Sequence, residues 1–167
     1  SGEKYLKGKV AVDLLPGGRA RVRTGSTDIH SLGLKNTEGL LHTTSWYWDM
    51  NDESRKFANK FFAKTKRMPT DVQAADYSAV MNYLKAVEAV KTTNADKVMA
   101  HLKSTPINDF YGKGVIRPDG TFAHDMYLVE AKKPSESTKP WDYLKVLTKL
   151  PADTVWTTKA ETKCALW

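Results

Sequence analysis

Hydrophobic and polar positions along this chain follow two periods in alternation. Leu40 to Trp48 reads Leu-Leu-His-Thr-Thr-Ser-Trp-Tyr-Trp, and its β-branched and aromatic content predicts a strand. Continued alternation would send Trp46 and Trp48 to one face and Tyr47 to the other. The period then lengthens. Asn51 has the character of an N-cap, Asp52 and Glu53 fill the first turn, and Phe57, Ala58, Phe61 and Phe62 recur at helical spacing as far as Arg67-Met68-Pro69. A second helix is predicted from about Asp71 to Lys91, with Ala74, Tyr77, Val80, Met81, Leu84, Val87 and Val90 spread over so wide an arc that packing on more than one side is expected. Thr93 or Asn94 caps a third, through Val98, Met99 and Leu102, which Pro106 stops.

Beyond Pro106 the period returns to two. Gly114-Val115-Ile116-Arg117 and Met126-Tyr127-Leu128-Val129-Glu130 are predicted strands flanking Pro118-Asp119-Gly120, where proline presets φ and glycine accepts a positive one. Residues 133–140 form a polar connection, Tyr143 to Leu147 a last strand, and the remainder an irregular tail. Near the start, Val10 to Leu15 has strand character but meets Pro16-Gly17-Gly18, and Arg19 to Arg23 alternates basic with small residues. The alternation of strands and helices from Thr27 onward favours an α/β architecture.

Composition changes this picture little. With 167 residues and 41% hydrophobic content the chain can bury one core. The net charge of +7 is concentrated in the first 25 residues, and only Arg19, Arg21 and Arg23 cluster, so a nucleic-acid partner is not expected. No apolar run approaches the roughly 18 residues of a membrane span. Ser1-Gly2-Glu3-Lys4 leads into no apolar signal-peptide core, so either the protein is intracellular or its true beginning is absent. Cys164 is the lone cysteine, which excludes an intrachain disulfide and leaves an idle thiol or a partner elsewhere.

Candidate chemistry is sparse. His30, His42, His101 and His124 lack the spacing that puts two imidazoles on one helical face, and no metal site or cofactor is expected. No nucleophile elbow, phosphate loop or dinucleotide fingerprint is present. Asp49, Asp52 and Glu53 are explained by a helix N-terminus. Asp125 beside His124 is either an acid-base pair or a polar strand edge, and adjacent strand residues point to opposite faces. In the run Trp46-Tyr47-Trp48 the indoles are either core or, for at least one, the wall of a small-molecule cleft.

The ordered set Thr27-Asp28-Ile29-His30-Ser31-Leu32-Gly33-Leu34, Glu38-Gly39-Leu40, Trp46-Tyr47-Trp48-Asp49, Tyr77-Ser78-Ala79-Val80, Arg117-Pro118-Asp119-Gly120 and Pro140-Trp141-Asp142-Tyr143 resembles the later half of leucine/isoleucine/valine-type periplasmic binding proteins of ABC importers, from about Thr27 to Trp167. Residues 1–25 form an unmatched basic segment. The resemblance implies an incomplete type I periplasmic-binding fold, with two lobes, each a sheet flanked by helices, joined by hinge crossovers. Residues 26–45 would belong to the second lobe, 46–121 to the first, and 122–167 would return to the second. It also implies an extracytoplasmic or periplasmic protein, not an enzyme, that binds an amino acid or small organic acid by hinge closure and delivers it to a membrane permease. A ligand-sensing receptor domain of the same fold is the alternative.

Among single residues, Asp28 resembles the acidic position that receives the ligand ammonium, unless it only caps the following turn. Val72 and Gln73 resemble the segment that contacts the ligand side chain. Trp46 and Asp125 would lie near the crossovers, as ligand contacts or as hinge packing. Since the resemblance lacks its first half, the chain alone is expected to expose apolar surface.

Overall fold

The computed structural model describes residues 13–15, 19–21 and 25–167. Strands β1 (Asp13–Leu15) and β2 (Arg19–Arg21) pair antiparallel. The predicted strand start at 10–12 lies outside the described residues. Helix α1 (Ser26–Leu32) follows, with Gly25 as N-cap and the Asp28 carboxylate accepting the Gly25 N–H at 2.7 Å. After the short α2 (Leu34–Thr37), β3 (Leu41–Thr44) pairs antiparallel with β7 (Met126–Ala131), which pairs in turn with β8 (Leu144–Leu150). On β3, His42 and Thr44 face inward while Leu41 and Thr43 face out.

The three predicted helices form as α3 (Asp52–Thr65), α4 (Asp71–Val90) and α5 (Ala95–Ser104). Their starts are chemically defined. Asn51 Oδ1 accepts the Ser54 N–H at 2.9 Å, and Asn94 Oδ1 accepts the Lys97 N–H at 3.2 Å. Thr70 and Gln73 close a capping box, with the Thr70 N–H donating to Gln73 Oε1 at 2.8 Å. A second antiparallel sheet, in the order β4-β5-β6, contains β4 (Ile107–Asn108), β5 (Lys113–Ile116) and β6 (Phe122–His124). A short helix, α6 (Ala152–Val155), ends the regular structure.

Three expectations change. The strand ending at Trp48 stops at Thr44, because the Thr44 hydroxyl donates to the Trp46 carbonyl at 2.9 Å and turns the chain out of the sheet. All three rings of Trp46-Tyr47-Trp48 are then buried instead of alternating. Pro118-Asp119-Gly120, with Gly120 at φ +85°, joins β5 to β6, whereas Met126–Ala131 belongs to the other sheet. Gly114 permits the tight β5–β6 pairing, since a Cβ there would overlap the Ala123 carbonyl oxygen. Helix α4 is fully buried only along a narrow strip, Ala74, Ser78 and Ala86, while Val72, Val80, Tyr83 and Leu84 are exposed and the half-exposed Tyr77 lays its ring 5.1 Å from that of Phe57. Small residues at four-residue steps make the closest contact.

The core gathers around the aromatic run. Trp46 meets Phe57 and Phe110 edge-on and donates its indole N–H to Ser54 Oγ at 2.9 Å. The Tyr47 hydroxyl donates to the Trp141 carbonyl at 2.9 Å and accepts the backbone N–H groups of Tyr143 at 3.0 Å and Leu144 at 3.3 Å. The Trp48 indole donates to the same Trp141 carbonyl at 2.9 Å. Burial pushes the Tyr47 phenol well above the usual tyrosine range, so it remains a protonated donor. Tyr47→Phe strips two buried N–H groups of their acceptor and is expected to cost about 1–3 kcal/mol, read as a lowered urea midpoint with unchanged slope.

Candidate functional site

Two openings flank the aromatic run, and Trp46 lines both. The smaller one lies between the N-terminal end of α1, at Gly25 and Ser26, and the N-terminal end of α4, at Thr70 and Asp71. Its floor is the inner face of β3, His42 and Thr44, together with Tyr47 and Leu144. The enclosed volume is about 10 Å³, enough for one water-sized group.

Charge converges on this opening. Burial holds the His42 imidazole below the usual histidine value, and Asp71 and Asp28 pull it the other way, so both carboxylates act on the same ring. Asp28 sits on α1 and Asp71 on α4, with Ser45 Oγ donating to Asp71 Oδ2 at 3.4 Å. His42 Nδ1 is buried and has no hydrogen-bond partner among the described residues. A water-sized recess with two carboxylates and an imidazole nearby suits a cationic donor and repels an anion.

The larger opening, about 290 Å³, is lined by Trp46, Tyr111, Lys113, Asp125, Tyr127 and Lys149, and by the start of α3. Most of its polar groups are already engaged. Asp125 Oδ2 pairs with Lys149 Nζ at 3.0 Å while Oδ1 accepts the Ala152 N–H at 3.0 Å. The hydrogen bond from Lys149 holds Asp125 below the usual carboxylate range. Asp109 accepts from Ser78, Asn82 and the backbone N–H groups of Tyr111 and Gly112.

The sequence-derived candidates therefore divide. Asp28 caps α1 through the Gly25 N–H and is exposed, beside the Gly25–Ser26 edge of the smaller opening. Val72 is 59% exposed in the first turn of α4, next to Thr70 and Asp71. Gln73 is engaged in the capping box with Thr70. Trp46 joins the two openings, and Asp125 belongs to the larger one. Sequence reading missed His42, Asp71 and Lys149. A histidine at an inward position of an alternating strand was the available signal for His42. Asp71 was hidden because an acid at a helix start has an ordinary electrostatic reason to be there.

The His124 and Asp125 side chains do not form an acid-base pair. His124 Nδ1 lies 2.7 Å from the Asp125 backbone carbonyl, and the Asp125 carboxylate turns to Lys149 and Ala152. The adjacent residues serve a junction instead. Sheet β4-β5-β6 ends at His124 and β7 begins at Met126, so the chain passes between sheets through Asp125 alone, and Trp156 donates its indole N–H to the His124 carbonyl at 2.7 Å.

Comparison with known families gives a match to the periplasmic binding protein model over residues 19–138. No curated protein matches. A periplasmic binding protein from Burkholderia mallei is 56% identical with a TM-score of 0.85, over 87% of this chain and 39% of that one. A branched-chain amino acid ABC transporter periplasmic ligand-binding protein from Burkholderia xenovorans LB400 is 41% identical with a TM-score of 0.81, over 84% of this chain and 38% of that one. At 13% identity and a TM-score of 0.66, the fold is shared with an ABC-transporter solute-binding protein from Rhodopseudomonas palustris BisB5 in complex with 3,4-dihydroxybenzoic acid, over 77% of this chain and 35% of that one. The chain thus spans less than two-fifths of the length of each, and its mixed helix-and-sheet architecture matches the type I periplasmic binding fold.

Burial also sets a pH dependence. His42 and His124 both have folded values lowered by desolvation from 6.5. Each favours the neutral form in the folded chain, so its stabilising contribution is complete above pH 6.5 and is lost as pH falls through the folded value. Between pH 7 and 5, stability is expected to fall by at most about 1.4 kcal/mol per pH unit for each histidine. Chemical denaturation across this range should show the slope, and the double variant His42→Gln, His124→Gln should flatten it.

Proposed function

The chain belongs to the periplasmic binding protein family, and on that footing we propose that it contributes one wall of the solute site in an extracytoplasmic receptor for an ATP-driven importer. The solute is an amino acid, seated at the opening between α1 and α4. Its ammonium turns toward Asp28 and Asp71, and its side chain lies toward Val72. The observation that carries this reading is the recess at the starts of α1 and α4, whose wall brings the Asp71 carboxylate and a buried imidazole with an unbonded nitrogen to one place. A charge-assisted pair in a recess that excludes water gives both affinity and orientation.

On this reading residues 26–45 and 122–167 build one lobe and 46–121 belong to the other, with the chain passing between them at Trp46 and near His124. Trp46 and Asp125 line one opening, which supports a shared junction about which the lobes close. Asp125 then acts at that junction and not on the solute. The membrane permease of the importer is the partner that receives the solute from the closed form, and the site of action is the periplasm. No catalytic step is required. The solute-binding character of the family supports this.

Calorimetric titration of the intact protein with leucine, isoleucine, phenylalanine and 3,4-dihydroxybenzoate tests the reading. At least one amino acid should bind, and Asp28→Asn and Asp71→Asn should each weaken it by about 10- to 100-fold, the worth of one charge-assisted contact. Binding of the dihydroxybenzoate alone, unaffected by either substitution, would contradict it.

A further inference from the structure

His42 is the second residue of β3 and is 7% exposed, on the inward face it shares with Thr44. Its Nδ1 has no hydrogen-bond partner among the described residues. Buried polar atoms in folded chains are nearly always bonded, so a buried ring nitrogen without a partner calls for one from outside the described residues. The recess that His42 lines has room for a single heavy atom with its hydrogens, and its other polar walls are Ser26, Thr44, Thr70 and Asp71. Thr44 is not free to serve, because its hydroxyl is committed to the Trp46 backbone.

We infer that His42 determines specificity at this site: its Nδ1 accepts a hydrogen bond from the ammonium of a bound amino acid, so that amines are selected over carboxylic acids that lack one. The inference rests on the solute-binding reading above. With the proton on Nε2, a neutral imidazole offers Nδ1 as an acceptor. Burial favours that neutral ring. An ammonium carries three donors, so a bond to His42 leaves others for the Asp71 carboxylate on the same recess and for Asp28 at the start of the adjoining helix. A carboxylate brought to the same recess would meet the like charge of Asp71, and a methyl group would leave the nitrogen unbonded.

The test compares leucine, isoleucine and phenylalanine with their deaminated counterparts 4-methylpentanoate, 3-methylpentanoate and 3-phenylpropanoate, titrated against the intact protein. The wild type should prefer the amine by about 100-fold or more, the worth of several charge-assisted bonds. His42→Val places a β-branched residue suited to a strand and removes the acceptor. It should weaken amino-acid binding by about tenfold and leave the deaminated acids within about threefold, so the preference narrows; His42→Gln should restore part of it. An unchanged preference in a folded His42→Val protein overturns the assignment while leaving solute binding intact. Binding of none of the six by the wild type overturns the solute-binding reading and this inference with it. A nitrogen-15 spectrum of labelled wild-type histidines needs no variant. The His42 Nδ1 resonance should move when the preferred amino acid is added, and a resonance that stays in place at saturation overturns the inference.

Discussion

The Tyr47 hydroxyl is the point on which the rest of the structure depends. One phenolic oxygen donates to the Trp141 carbonyl and accepts from the backbone at Tyr143 and Leu144, so the segment leaving β3 is fastened to the start of β8. Trp141 itself has φ of +67°, a conformation that costs a bulky residue about 1–3 kcal/mol and persists only where its surroundings hold it. Those surroundings are specific. Two donors, from Tyr47 and Trp48, meet its carbonyl, and the His30 ring stacks on its indole at 3.9 Å. Asp142, the next residue, is held by Lys132 at 2.5 Å and by Thr138 at 3.0 Å. Fixing Trp141 fixes β8 against β7, and β7 carries the inward face of β3 on which His42 lies.

On the proposed reading the small opening carries the chemistry and the larger one does not. At the smaller, two helices begin, α4 brings the Asp71 carboxylate, and β3 offers an imidazole with an unfilled bond. At the larger, Asp125 holds Lys149 and the start of α6, and Asp109 organises the turn before β5. Satisfied groups of that kind build a junction, and a single residue, Asp125, connects the two sheets there.

Much of this was legible in the sequence, and the limits have physical causes. Helices α3, α4 and α5 were readable because their caps and periods are local: Asn51 and Asn94 each bond within three residues. Strand pairing was not, because a period of two states which residues share a face and says nothing about the partner strand. Residues 113–116 and 126–131 therefore looked like one hairpin, although they occupy different sheets. Trp46, Tyr47 and Trp48 looked like a strand because aromatic content favours one, and the Thr44 side chain overrode that preference with a backbone hydrogen bond. The width of the apolar arc on α4 was read correctly, but which part of it is covered depends on tertiary partners. Among the candidate residues, Asp28 stood out through resemblance, whereas His42 and Asp71 became visible only when β3 and α4 were brought to one opening.

The central claim is that a small amine-bearing solute sits between the starts of α1 and α4. A crystal structure of the intact protein grown with its tightest-binding amino acid tests that most directly. The account predicts the solute nitrogen within hydrogen-bonding distance of the carboxylates of Asp28 and Asp71 and of the His42 ring. Density for the solute in the opening bounded by Lys113, Asp125 and Lys149, with the His42 recess holding only water, would contradict it.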